Sequence, residues 1–264
     1  MRNFRIVLTL ILVVFLAACS KYEKILKSTD YTLKYKKAME YYQKGDYSRA
    51  STLFDQIVNV YKGTAKADTV CFYQAQSYYG QKDYIMSSYY YKEFSKDYPR
   101  STFAEEADYL ASYCNYLLSP RPSLDQDYTT QALQGFQYFI VKFPESKYVP
   151  EARRLIVEMR DKLVEKSYMS ARLYFDLGYY KASVIALRNS LNTFPDTKYR
   201  EDILFLILKS NYLLADNSVL EKQKERFQAA LDGYYAFIGE FPTSKFQKEA
   251  EKMHAQTKIV LGVQ

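Results

Sequence analysis

Residues able to do acid–base, nucleophilic or metal chemistry are sparse in this 264-residue chain, and their spacing assembles none of them into a site. His254 is the single histidine, between Met253 and Ala255 close to the C-terminus. A catalytic triad or a zinc site needs several partners converging on one point, and a lone histidine on a helical stretch has none in its own sequence neighbourhood. Cys71 and Cys114 stand among apolar neighbours in helical patterns, which reads as two buried free thiols without metal-ligand spacing. The pairs Glu105-Glu106 and Glu201-Asp202 are of the type that does general acid–base work. Each pair opens a predicted helix, however, where the N-terminal dipole already favours negative charge. Neither a phosphate-cradling Gly-Lys-Ser/Thr loop nor a dinucleotide fingerprint occurs. The expectation is therefore no metal, no cofactor and no enzymatic activity.

Cys19 is the exception. Arg2 and Arg5 form a positive start, Ile6 to Leu16 is apolar apart from Thr9, and Leu16-Ala17-Ala18-Cys19 follows. The apolar run is shorter than the ~20 residues a spanning helix needs, so it reads as a secretory signal. A cysteine directly after two alanines resembles a bacterial lipoprotein signal, which implies that Cys19 is acylated and becomes the new N-terminus. Two or three acyl chains anchor stably where one does not. Residues 1–18 are then signal peptide and 19–29 a lipidated tether. Ser20 does not look like an inner-membrane retention signal, which points to the outer membrane. The 37 basic residues outnumber the 30 acidic ones. Removing Arg2 and Arg5 leaves a mild excess, compatible with an anionic membrane surface and without the basic density that nucleic acid demands. Lys21, Lys24, Lys27, Lys34, Lys36 and Lys37 concentrate next to the anchor, where they can meet anionic head groups.

Behind the anchor the chain repeats itself. Tyr98-Pro99-Arg100-Ser101-Thr102-Phe103, Phe143-Pro144-Glu145-Ser146-Lys147-Tyr148, Phe194-Pro195-Asp196-Thr197-Lys198-Tyr199 and Phe241-Pro242-Thr243-Ser244-Lys245-Phe246 are copies of one motif. This spacing is that of a helical repeat array, and arrays mostly hold partners. Counting back from each proline, Tyr91, Phe136, Leu187 and Tyr234 share one position, Ser87, Ala132, Ser183 and Ala230 a second, and Phe94, Phe139, Ser190 and Phe237 a third. Steps of three and four put all three positions on one helix face. The proline stops one helix, and Ser101, Ser146, Thr197 or Ser244 is placed to N-cap the next. Gly63 is placed to end an earlier helix as a left-handed cap. A second string, Gly45-Asp46-Tyr47, Lys82-Asp83-Tyr84 and Gly178-Tyr179-Tyr180, precedes a small residue and then a large apolar one. It resembles the tetratricopeptide repeat.

The fold expected is all-α, a tetratricopeptide-repeat solenoid of about five helix pairs plus a C-terminal helix. The repeats are predicted near 30–63, 67–100, 103–145, 149–196 and 200–243. Pro150 to Asp176 is one long helix, Ser119 to Ser123 begins a loop inside the third repeat, and Ala215 to Ser218 opens a turn or insert in the fifth. The halves are 30–145 and 146–264. In this register the first helix of each pair faces the concave side. That assigns Tyr35, Met39, Tyr42, Phe72, Gln76 and Tyr79 to a peptide groove, with Lys36 and Lys37 as candidates for a terminal carboxylate.

The combination of a lipid-signal cysteine and these repeats resembles the BamD family of outer-membrane lipoproteins. Phe143 to Tyr148, Arg154-Leu155 through Lys162-Leu163 to Tyr168, Ser170-Ala171 and Tyr174, then Gly178, Tyr180 and Phe194-Pro195-Asp196-Thr197 carry the resemblance. It implies a periplasm-facing scaffold of the β-barrel assembly machinery. Such a scaffold binds the periplasmic domains of the barrel subunit BamA through its C-terminal half and unfolded outer-membrane proteins through its N-terminal half. Arg200 and Lys209 are the candidates for the partner surface. The alternatives are a repeat lipoprotein organising the cell envelope, of the Tol-Pal coordinator type, and a glycan-binding lipoprotein of the SusD type. The first has a coiled coil before its repeats, and the second favours tryptophan at its sugar platform, whereas this chain has no tryptophan.

Overall fold

The computed structural model describes residues 21–263, so Cys19 and the signal before it lie outside the described residues. Helices follow one another in the predicted pairs: α1 (Tyr31–Gln43) with α2 (Tyr47–Tyr61), α3 (Ala67–Gly80) with α4 (Tyr84–Asp97), α5 (Ala104–Leu118) with α6 (Asp127–Lys142), α7 (Val149–Asp176) with α8 (Tyr180–Thr193), and α9 (Arg200–Asp216) with α10 (Leu220–Glu240). Helix α11 (Gln247–Leu261) closes the series. Among the described residues there is no strand, and no helix is long and apolar enough to cross a membrane.

The chain forms two compact units, Met1–Pro120 with Gln126–Met159, described from residue 21, and Arg121–Asp125 with Arg160–Gln264. The division falls inside α7, later than the expected boundary at 145/146. The physical reason is the core of the first unit. Val149, Ala152, Leu155 and Met159, on the first half of α7, complete the cluster built by Tyr109, Ala132, Phe136 and Phe139. The second half of α7 instead supplies Tyr168 and Ala171 to a cluster with Leu187, Ile203 and Ile207.

The turn inside three of the pairs is the same device. Gly45, Lys82 and Gly178 have φ of 76°, 62° and 79°. Their N–H groups reach the carbonyls of Tyr42, Tyr79 and Phe175, and the next N–H reaches back to Tyr41, Tyr78 and Tyr174. These paired bonds are the Schellman motif, which satisfies the last carbonyls of the preceding helix. Gly63 differs from expectation. Lys62 has φ −54° and ψ 128°, and Thr64 N–H donates to Tyr61 O at 3.0 Å, so Gly63 occupies the third position of a type II turn.

One further expectation changes. Residues 21–27 are not a loose tether: they are helical, and Tyr22, Ile25 and Leu26 pack on the first core cluster. The Tyr22 ring meets Tyr41 edge-on at 5.6 Å, and Lys34 Nζ donates to Leu26 O at 3.0 Å. Apolar side chains at 22, 25 and 26 are what a helix needs to bury one face. Of the turn or insert expected in the fifth repeat, the structure shows the turn, short and just after Asp216, and the extra length is the 21-residue helix α10.

Candidate groove and partner surface

The four proline motifs set the spacing between repeats, and the structure gives the Ser/Thr and the last aromatic of each motif a defined contact. Tyr98, Phe143, Phe194 and Phe241 all adopt φ between −126° and −132°, outside the helix, as a residue before proline must. Ser101, Ser146, Thr197 and Ser244 accept from the N–H two residues on, at 3.0–3.3 Å. They cap a short turn ahead of the helix rather than the helix itself, because the helices begin three residues after them. Three of these hydroxyls also donate one repeat back: Ser101 to Asp68 at 2.8 Å, Ser146 to Glu105 at 2.6 Å, and Ser244 to Glu201 at 2.5 Å. Those acids serve neighbouring repeats as well as their own helix dipole.

The last aromatic of each motif stacks on the preceding repeat. Phe103 lies on Phe72, Tyr148 on Tyr109, Tyr199 on Tyr168 and Phe246 on Phe205, with centroids 4.1–4.4 Å apart and planes within 12°. Lys147, Lys198 and Lys245 cover the rings of Tyr148, Tyr199 and Phe246. In each complete staple the acid and the stacked aromatic are four residues apart on the first helix. Four residues before Tyr168 stands Val164, a buried apolar residue, and Thr197 has no carboxylate opposite it at that place.

This framework decides which groove candidates face a ligand. Phe72 does not. It is 4% exposed, in the core with Tyr91 and Phe94, because stacking on Phe103 occupies its face. Tyr35, Met39, Tyr42, Gln76 and Tyr79 are half-buried on α1 and α3. Tyr42 OH donates to Gln76 Oε1, and Gln76 Nε2 donates to Glu106 Oε1 on α5, each at 3.5 Å. One polar line therefore crosses the first helices of three successive repeats. Tyr42 packs edge-on against Tyr73 at 4.9 Å, Tyr79 meets Tyr84 at 5.7 Å, and Tyr35 sits against Tyr61 with Lys66 over its ring. Burial raises the hydroxyl pKa of all three tyrosines, that of Tyr79 to about 12 with Tyr113 and Cys114 adding to it. They remain neutral hydrogen-bonding groups at any ordinary pH.

The face offers tyrosine hydroxyls, a glutamine amide and the Glu106 carboxylate. It suits backbone N–H groups and apolar side chains of an extended peptide, and the carboxylate disfavours an anion. The expected basic neighbour is missing. Lys37 Nζ is held by Glu40 at 2.7 Å, and Lys36 is exposed one residue from Tyr35, about 100° around the helix.

The partner candidates of the second unit are also differently placed than expected. Arg200 is engaged by both carboxylate oxygens of Glu240 and by Pro195 O. Lys209 pairs with Glu249 at 2.7 Å beside the rings of Phe175 and Phe205. Both are half-buried cations joining neighbouring helices. One exposed feature of this unit is apolar. Leu173, Tyr174, Leu177, Tyr179 and Ile185 are each between 44% and 62% exposed. Tyr174, Tyr179 and Ile185 border an open cavity of about 710 Å³ with Lys181 and Leu214. Its signal in the sequence is a second apolar stripe, Leu173 and Leu177, out of phase with the buried stripe Val164, Tyr168 and Ala171.

The remaining candidates are structural. His254 lies flat on Tyr234 at 4.0 Å, and burial, with Lys258 nearby, lowers its pKa. Cys71 and Cys114 are free, and their thiols contact Tyr98 OH and Ser87 Oγ.

Residues 28–227 match the model of a family described as YfiO, outer membrane lipoprotein. The chain is 28% identical over 230 residues to a putative outer membrane protein assembly factor BamD of Aquifex aeolicus, covering 86% of this chain and 74% of that one. It is 25% identical to the outer membrane protein assembly factor BamD of Neisseria meningitidis serogroup B, covering 93% and 94%. Among solved structures, the TPR2AB-domain:pHSP90-complex of yeast Sti1 aligns with TM-score 0.38 and 8% identity, covering 86% of this chain and 98% of that one. A family match across most of the chain, with a BamD relative covered over 94% of its length, leads to one conclusion: the chain belongs to the YfiO outer membrane lipoprotein family, that of the BamD assembly factors.

Proposed function

We propose that this chain is a scaffold for the assembly of outer-membrane proteins, held by lipid on Cys19 at the periplasmic side of the outer membrane. Its relatives' names as assembly factors support the role. The observation that carries the client-binding part is the Tyr42–Gln76–Glu106 line across three first helices. Both of its bonds are long, so exchanging them for bonds to a peptide backbone costs little. Half-buried Tyr35, Met39 and Tyr79 supply apolar contact on either side. Unfolded outer-membrane proteins, presenting extended segments, are the ligand class this face fits. Replacing Tyr42 and Tyr79 with Ala is expected to weaken binding of an unfolded barrel protein at least tenfold, about 1.4 kcal/mol. Unchanged affinity in a folded double variant refutes the groove.

The second unit takes the barrel subunit BamA through that protein's periplasmic domains. The supporting observation is the exposed apolar group around Leu177 and Tyr179, since patches of this kind mark protein contacts. Leu177→Asp with Tyr179→Asp is expected to abolish co-purification of BamA from detergent-solubilised membranes while leaving client binding intact. Retained co-purification removes this surface from the assignment.

A further inference from the structure

The second helices of the first unit carry charge in an ordered way that the proposed role does not use. Helix α4 sends Glu93 and Asp97 to an acidic cavity shared with Asp55 of α2. One residue before each of these acids stand Lys92 and Lys96, which line a different cavity toward α5 and α6. This second cavity has a volume of about 460 Å³, in the range of a one- or two-residue ligand. Lys142 also reaches it and is held by Asp108 at 2.6 Å, so that one lysine is neutralised in place. Neither Lys92 nor Lys96 forms a salt bridge among the described residues, in contrast to Lys142. The local balance is therefore two uncompensated cations.

The wall of the cavity also holds a polar group without a partner. Ser95, between those two lysines, is 9% exposed, and its hydroxyl is buried without a hydrogen-bond partner. A buried hydroxyl left unpaired is unfavourable, and turning the Ser95 side chain toward the cavity would pair it with a ligand oxygen. Gln134 adds amide hydrogen-bonding capacity, and Tyr138, 61% exposed, adds an aromatic face at the rim. Two free ammonium groups, an orphan O–H and a neighbouring amide form a donor set for an oxyanion.

We infer that this cavity binds a carboxylate of a polypeptide partner, an Asp or Glu side chain, with Lys92, Lys96 and Ser95 as its donors. Gln134 and Tyr138 beside the two lysines favour a carboxylate carried on a peptide over a free phosphate, which has no amide or side chain to place against them. Gln134 and Tyr138 suit the peptide amide and the side chain adjoining such a carboxylate. The site lies on α4–α6, whereas the candidate groove lies on α1, α3 and α5, so the two can be occupied and tested separately.

The test uses the full chain in detergent micelles and ligand-observed saturation-transfer NMR. The probes are acetyl-Ala-Glu-Ala-amide, its Gln counterpart and inorganic phosphate. The Glu peptide is expected to bind at least tenfold more tightly than the Gln peptide. Lys92→Gln with Lys96→Gln, both exposed positions that leave the core intact, is expected to remove that preference, and Ser95→Ala to reduce it at least threefold. Tyr42→Ala is expected to leave it unchanged. Equal binding of the two peptides, or a Glu preference that survives the double lysine substitution, overturns the inference. Tight phosphate binding without peptide binding also overturns it, and makes the cavity a phosphate site instead.

Discussion

The repeat turns allow a matched test of backbone strain. Gly45, Lys82 and Gly178 share left-handed φ and the same two back-bonds, but only Lys82 carries a Cβ. A left-handed L-residue costs roughly 1–2 kcal/mol from the clash of Cβ with its own carbonyl. Glycine at the same place gains about 0.4–1 kcal/mol more unfolded-state entropy than a residue with a side chain. Lys82→Gly is therefore expected to stabilise by the difference, about 0.5–1 kcal/mol. The Lys82 side chain is exposed, so removing it forfeits little packing. The converse change is equally clean. A Cβ added at Gly45 or Gly178 meets nothing within 4 Å, so Gly45→Ala and Gly178→Ala pay the conformational cost alone. Each is expected to destabilise by about 0.5–1 kcal/mol, the mirror of the lysine change. Urea unfolding followed by circular dichroism reads all three, compared at unchanged slope. If Lys82→Gly lowers the midpoint while the alanine variants leave it unchanged, the strain argument fails.

Other consequences are independent of that one. Ser146→Ala removes the bond to Glu105 and the cap on Tyr148 N–H, and should cost about 1–3 kcal/mol in urea unfolding; combined with Glu105→Ala, the two losses should fall short of additivity by at least about 0.5 kcal/mol. Gly135→Ala places a Cβ 2.4 Å from Ser112 Oγ and 3.1 Å from Ser112 Cβ, and should destabilise more than Gly45→Ala in the same assay, because the buried Ser112 side chain must give way. Burial raises the hydroxyl pKa of Tyr79, Tyr98 and Tyr109 to about 12 from 10 in the unfolded chain, so the folded state holds protons the unfolded state releases. Their stabilisation is complete below about pH 10 and is lost as pH climbs toward about 12; tyrosinate absorbance should therefore rise together with loss of helix. Burial likewise pushes the Cys114 thiol up to about 11 and shields it, so native protein should resist iodoacetamide there until unfolded.

The repeats were legible because their signals are local. Proline blocks the helix for the residue before it, and a period of three and four marks a buried face; neither depends on the rest of the molecule. Of the periodic positions counted back from the prolines, Tyr234 alone is not buried, and it is the one covered by His254 of the closing helix instead of a further repeat. The site was less legible. Phe72 and Gln76 share one face of α3 in sequence, but Phe72 is claimed by the stack on Phe103, thirty-one residues away. Arg200 and Lys209 look like free cations until Glu240 and Glu249 are brought beside them.

By itself the sequence determined the all-α repeat, its period and its helix stops, since each is written in residues within one or two turns of each other. Only the tertiary structure decided which aromatics are spent on stacking, which charges are already paired, where α7 passes from one unit's core to the other's, and that Ser95 lacks a partner. Those outcomes depend on contacts between residues tens of positions apart, whose meeting is set by how one repeat seats on the next.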